Sequence, residues 1–170
     1  MQIGVFTVVL SSMNLEQSLD YLAKLGVQAV ELGAGGYPGT AHCDVDALLA
    51  SNHKARELVA IVRGYGMKIS SLSCHGNPLH PNAAIAREHD AAFRKAVRLA
   101  RKLEVEVVTT FSGCPGGAAG DTQPNWVTCA WPPEFPEILD YQWNQVAIPY
   151  WRHAAILDRK STRLNSSHRT

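Results

Sequence analysis

Apolar residues recur along this chain with two periods, and the two take turns. Leu15, Leu19, Leu22 and Leu25 fall on one stripe of a 3.6-residue period, as do Leu58, Ile61, Val62 and Tyr65. Phe93, Ala96, Val97, Ala100 and Leu103 form a third stripe, on a long helix expected from about Ala83. Between the stripes lie short apolar runs bounded by a stop: Gly26 before Val27 to Leu32, Gly66 before Met67 to Leu72, and Glu104 before Val105 to Phe111. Glycine at such a stop lets a helix end in a left-handed residue. Glu104 stands where the other two junctions have glycine, so a left-handed cap there is strained. Asn14 and Gln17 have the spacing of a capping box for the first helix. Ile3 to Leu10 reads as a strand before it. A further helical region is expected from about Pro133 through Ile138, Leu139 and Trp143, kinked or restarted at Pro149.

Strand and helix thus alternate four times, the pattern of parallel strands joined by helical crossovers. A doubly wound sheet and a (β/α)8 barrel both fit it. The first strand–helix junction lacks G-x-G-x-x-G, which removes the main support for a dinucleotide fold. The expectation is an α/β chain: a truncated (β/α)8 TIM barrel of about four βα units.

Length suits one ordinary domain, and 18% charged residues is moderate. No apolar run is long enough to span a bilayer, and Met1-Gln2-Ile3-Gly4 has no basic leader character. Cys43, Cys74, Cys114 and Cys129 form no C-x-x-C pair, so reduced thiols and a cytoplasmic location are expected. From Asp158 the apolar period stops. Asp158 through His168 match, codon for codon, a translated sequencing-library adapter. Residues 158–170 are therefore read as a non-native tail, and 1–157 as the N-terminal part of a barrel. The tail carries Arg159, Lys160, Arg163 and Arg169 against Asp158, so setting it aside takes the formal charge from +1 to −2. That balance argues against a nucleic-acid or anionic-membrane partner.

Candidate chemistry gathers at the ends of the expected strands, where ligand sites of parallel α/β folds lie. Ser73-Cys74-His75-Gly76-Asn77-Pro78-Leu79-His80-Pro81 follows the third strand and holds two imidazoles and an amide on a proline-stiffened turn. Glu31 ends the second strand in an apolar setting, where an unpaired carboxylate is costly. Its alternatives are a substrate-binding or metal-binding role and an ion pair at the barrel mouth. Gly33 to Gly39 is glycine-rich, but no Lys or Ser/Thr follows at P-loop spacing, so it reads as a flexible turn. His42 reads as solvent-facing or structural, and His53 and His89 as surface groups on helices. A long loop after the fourth strand holds Asn125, Trp126 and Trp131; such loops are usually functional. Its indoles suit either stacking on a sugar ring or packing beneath the loop. Cys114 has no basic neighbour and is not read as a nucleophile.

With Ile3-Gly4-Val5-Phe6, Ala29-Val30-Glu31-Leu32-Gly33, the nonapeptide from Ser73, Thr110 to Gly116 and Asn125-Trp126-Val127-Thr128, the chain resembles the sugar phosphate isomerase/epimerase family with the xylose isomerase-like TIM barrel. The resemblance runs from Met1 to about Leu157. It implies proton transfer beside a carbonyl of a sugar or polyol, with a divalent cation (Mn2+, Mg2+, Co2+ or Zn2+) in the barrel mouth. In such enzymes the metal ligands and the proton-transfer carboxylate come mainly from later strands, so catalytic and metal-ligating residues are expected outside this chain. The substrate side falls on Glu31, His75, Asn77, His80 and Trp126. The implied partner is a small sugar or polyol, with homo-oligomerisation open; the alternatives are a barrel nuclease of the endonuclease IV type, with strand-end His residues on zinc, and a non-catalytic sugar-binding module. Alone, the 170-residue chain is expected to be inactive and to self-associate through its open strand edges.

Overall fold

Four parallel strands, β1 (Gly4–Phe6), β2 (Ala29–Gly33), β3 (Lys68–Ser73) and β4 (Val108–Thr109), pair in chain order into one open sheet. The structure is a computed structural model that describes residues 2–163, with side chains through Ile156. The tail read from Asp158 therefore lies outside the residues whose side chains are described.

The chain divides into two units, one of residues 1–76 and 89–111, the other of 77–88 and 112–170. The first holds the whole sheet with α1 (Leu15–Lys24), α2 (Val45–Ala50), α3 (Asn52–Gly64) and most of α4 (Ala83–Lys102). Its core joins Leu19 and Leu22 of α1, Leu58 and Val62 of α3, and Leu99 and Ala100 of α4 to Val30, Leu32 and Leu72 of the sheet. Each such Leu or Val contributes on the order of 1.5–3 kcal/mol by leaving water.

The Asn14–Gln17 capping box is present, with both backbone N–H groups satisfied at 3.0 and 2.9 Å. All three helix stops take one form. The N–H groups of Val27, Met67 and Val105 donate to Leu22, Val62 and Ala100, and those of Gly26, Gly66 and Glu104 to Ala23, Arg63 and Arg101. This double closure places the stop residue in the left-handed region. Gly26 and Gly66 sit at φ 76°, and Glu104 at φ 58°.

Three expectations need correction. The opening strand covers Gly4–Phe6 alone; Thr7–Leu10 turn into one 3-10 turn, with Thr7 buried. Leu25 is 62% exposed and leaves the first stripe, because the chain has already turned at the cap. α2, capped by the Asp44 carboxylate on the Ala47 N–H, was not foreseen, since six residues are too few to show a period.

The second unit holds α5 (Glu134–Asp140), a π-helical segment (Tyr141–Ala147) and α6 (Ile148–Arg163). The widened turns stand just before Pro149, which has no N–H to give to the turn beneath it. Among the described residues, no helix is long and apolar enough to cross a membrane.

Candidate functional site

Side chains of a strand alternate between faces. In β2, Val30 and Leu32 enter the core under the helices, and Glu31 lies on the opposite face, partly exposed. Register carries this parity across the sheet. Glu31 pairs with Phe6 of β1 and Ser71 of β3; Gly33 pairs with Ser73, and Ser73 with Thr109. The pairing skips a residue, since Val30 faces Ile69 while Glu31 faces Ser71. Ser70 is the extra residue of a bulge, and its hydroxyl donates to the Val30 carbonyl at 3.1 Å. The face away from the helices thus carries Phe6, Glu31, Ser71, Ser73 and Thr109, with His75 and Phe111 two residues past the last inward positions of β3 and β4.

His75 is held from several sides. Its Nε2 lies 2.8 Å from Ser73 Oγ. Its ring stacks on Phe111 at 4.2 Å and meets Phe6 edge-on at 6.3 Å. Its carbonyl accepts from the Tyr37 N–H at 2.7 Å. That contact requires glycine at 36: Gly36 has φ 65°, and a Cβ there would overlap the His75 carbonyl. Tyr37 continues the ring cluster, lying 6.5 Å from Phe111 and 5.1 Å from His89. Nδ1 of His75 is buried, with no hydrogen-bond partner among the described residues.

The glycine-rich segment is a closed turn. The N–H groups of Ala34, Gly35, Tyr37 and Gly39 are taken by the carbonyls of Ser73, Gly39, His75 and Gly36, so these donors are not free for a phosphate. His42 is structural: it is buried, with Nε2 2.9 Å from the Met13 carbonyl and 3.4 Å from Ser18 Oγ. His53 is exposed, 3.8 Å from Glu57. His89 is not a free surface group. It is half-buried against Tyr37, with Nδ1 where a Cβ on Gly76 would sit. Sequence reading missed it because its helix position says nothing of the loop it faces. Burial pushes the Cys43 thiol up to about 12, with Asp44 adding to it, and the Cys74 thiol up to about 11. Cys114 is also raised by burial, partly offset by its bond to the Asn125 carbonyl. None of the three is poised as a thiolate.

The other sequence-named residues belong to the second unit. Asn77 is buried. Its Nδ2 donates to the Cys114 carbonyl at 2.8 Å, and its Oδ1 accepts from the N–H groups of Leu79 and Cys114 at 3.1 and 2.9 Å. It clamps two loops together. His80 accepts from the Asn82 N–H at Nδ1, 2.9 Å, which pins its own turn. Trp126 and Trp131 are 71% and 76% exposed, which overturns the reading of the indoles as a core under the loop. Trp126 lines a cleft of about 140 Å³ with Cys114, Asn125, Leu139, Gln142 and Trp143. Gln142, on the π-helical segment, closes its floor by donating to the carbonyls of Pro115, Gly116 and Asn125. That volume falls short of a typical small-molecule site.

The sequence profile of the xylose isomerase-like TIM barrel matches residues 19–155. The chain belongs to that family. It is 37% identical over 154 residues to the uncharacterized protein YfiH of Bacillus subtilis (strain 168), covering 89% of this chain and 49% of YfiH. The chain therefore spans about half the length of the curated relative it matches. Among solved structures, a D-psicose 3-epimerase from Clostridium cellulolyticum H10, determined with D-tagatose, superposes with a TM-score of 0.50 at 15% identity, over 94% of this chain and 49% of that one. The probable 3-DHS dehydratase AsbF of Bacillus anthracis gives 0.49 at 15% identity, over 71% and 42%. The four-stranded parallel sheet is thus part of a xylose isomerase-like barrel. A divalent cation, implied by family resemblance, finds no fit here: no three His, Cys, Asp or Glu side chains among the described residues are grouped to hold one.

Proposed function

We propose that this chain is the N-terminal, substrate-binding part of a metal-dependent sugar or sugar-phosphate isomerase or epimerase, which moves a proton beside a carbonyl. The observation that carries this reading is the parity of Glu31 and His75. A carboxylate and an imidazole stand at the carboxyl ends of neighbouring strands, on the face away from the helices. Phe6 and Phe111 border the imidazole, and Tyr37 lies beside Phe111. Such a surface offers polar partners for hydroxyl groups and ring faces for the C–H side of a sugar. Glu31 accepts from a ligand hydroxyl, His75 orients an oxygen, and the rings exclude water around them. The D-psicose 3-epimerase that shares the fold makes a ketohexose the first ligand to try. The cation and the group that moves the proton belong to strands outside this chain, so the 170-residue chain is expected to bind without turning over.

The test is a titration of the chain with D-fructose and D-tagatose, followed by NMR. Expected is a shift of the His75 ring, lost in Glu31→Gln, and of the Glu31 amide, lost in His75→Gln. Shifts that persist in both variants, or none at tens of millimolar sugar, refute the reading, as does epimerase turnover by the chain alone.

A further inference from the structure

Both outer strands of the sheet are unguarded. The N–H groups of Leu72 and Cys74 donate to the carbonyls of Val107 and Thr109, and that of Ala29 to the carbonyl of Ile3. Along a parallel strand, residues that bond one neighbour alternate with residues that face the other side. Gly4 of β1 and Val108 of β4 therefore turn their N–H and C=O groups outward, and among the described residues neither meets another element there. Edge strands are ordinarily shielded by charge, proline or a bulge. Gly4-Val5-Phe6 and Val108-Thr109 hold no charge and no proline, and the bulge lies inside the sheet, between β2 and β3. Ile3 before β1, and Val107 and Phe111 on either side of β4, are exposed apolar side chains.

Direction and number select what covers these edges. A two-fold axis along the strands preserves every strand direction. It brings β1 of a second copy to β4 of the first and, by the same rotation, β1 of the first to β4 of the second, so no edge is left. Four strands from each copy make the eight of a closed barrel. The arc suits this, since 94% of the chain superposes on 49% of a D-psicose 3-epimerase with a TM-score of 0.50. A two-fold axis across the strands pairs β1 with β1 and leaves both β4 edges bare. A net charge of +1 gives two copies little mutual repulsion.

We propose that two copies of this chain close an eight-stranded barrel through two identical parallel seams, β1 of each paired to β4 of the other. The mouth then carries two Glu31–His75 sets, one from each copy. The pairing does not rest on the sugar-binding reading.

The experiment joins sedimentation of the full chain, at tens of micromolar, to amide hydrogen exchange. Expected is a mass twice 18.5 kDa that stops growing with concentration. The Gly4 and Val108 amides, which no bond within one copy protects, are expected to slow together by about tenfold or more as the pair forms, and to quicken together on dilution. Val108→Pro removes only an edge-facing N–H; it is expected to give single copies with a fast Gly4 amide and an unchanged far-UV circular dichroism spectrum. The unmodified chain decides the matter if that variant fails to fold. A single copy at hundreds of micromolar overturns the proposal. So does a species that lengthens without limit, or a pair in which one of the two amides stays fast. A chain that stays single until the part of YfiH outside the matched half is added, and whose edge amides slow only then, overturns it in favour of that occupant.

Discussion

Replacing Glu104 by glycine is expected to make this protein more stable. Three helices end in the same double hydrogen-bonded closure, and Glu104 alone among the three stop residues carries a Cβ, at φ 58°. A side chain in the left-handed region costs roughly 1–2 kcal/mol. Glycine gives back roughly 0.5–1 kcal/mol of that through the greater freedom of its unfolded chain. The backbone part of the change is therefore a gain of about 0.5–1 kcal/mol. A second effect acts in the same direction, because Glu104 puts negative charge at the C-terminal end of α4, where the helix dipole is already negative. Glu104→Ala removes the charge and keeps the strain, so the difference between the glycine and alanine variants isolates the backbone. The mirror experiment is Gly26→Ala and Gly66→Ala. Among the described residues an added Cβ meets nothing within 4 Å at either site, so each loss, again about 1 kcal/mol, is conformational rather than steric. Urea unfolding followed by far-UV circular dichroism reads all four, and unchanged m-values show that the end states are comparable. If Glu104→Gly is no more stable than Glu104→Ala, the shared-cap reasoning is wrong.

Other expectations rest on separate features. Gly36→Ala forces a Cβ onto the His75 carbonyl in a left-handed residue; a loss of about 2–4 kcal/mol is expected, with a shift of the His75 ring resonances, and a loss under about 0.5 kcal/mol would contradict the close packing. Burial raises the Cys43 thiol from 9.0 to about 12. The unfolded chain therefore ionises first, and stability should fall as pH climbs from 9 toward 12, by up to about 4 kcal/mol from this group. In Cys43→Ala that slope should flatten, and an equal slope in both proteins refutes the assignment.

Much of the fold was legible because it is written in repetition. Three apolar stripes, three short runs and the stops between them gave the alternation that the sheet shows, and the capping box could be read from Asn14 and Gln17. The strain at Glu104 was legible too, since two glycines mark what the third position lacks. Leu25 was misplaced because a period does not announce where the chain turns off the helix. The parity of Glu31 depends on alternation and was readable; the matching parity of His75 depends on a bulge that leaves no mark in Ser70-Ser71. The ring cluster joins Phe6, Tyr37, His75, His89 and Phe111 from five separate segments. No local pattern brings such residues together. Asn77 was expected on the substrate side and fastens two loops instead, one of them thirty-seven positions away, a pairing no local pattern shows.

The single uncounted serine in β3 lets Ile69 and Leu72, three positions apart, stand on the same side of the sheet. Taking Ser70 out would close the segment to Ile69-Ser71-Leu72, whose plain alternation already matches Val30, Glu31 and Leu32. Leu72 would keep its place in the hydrocarbon interior, and Ser71, Ser73 and the imidazole theirs on the far side. The deletion forfeits one bond to the Val30 carbonyl and the local bend. A residue added elsewhere in the strand has no such slack beside it and would turn the downstream side chains over.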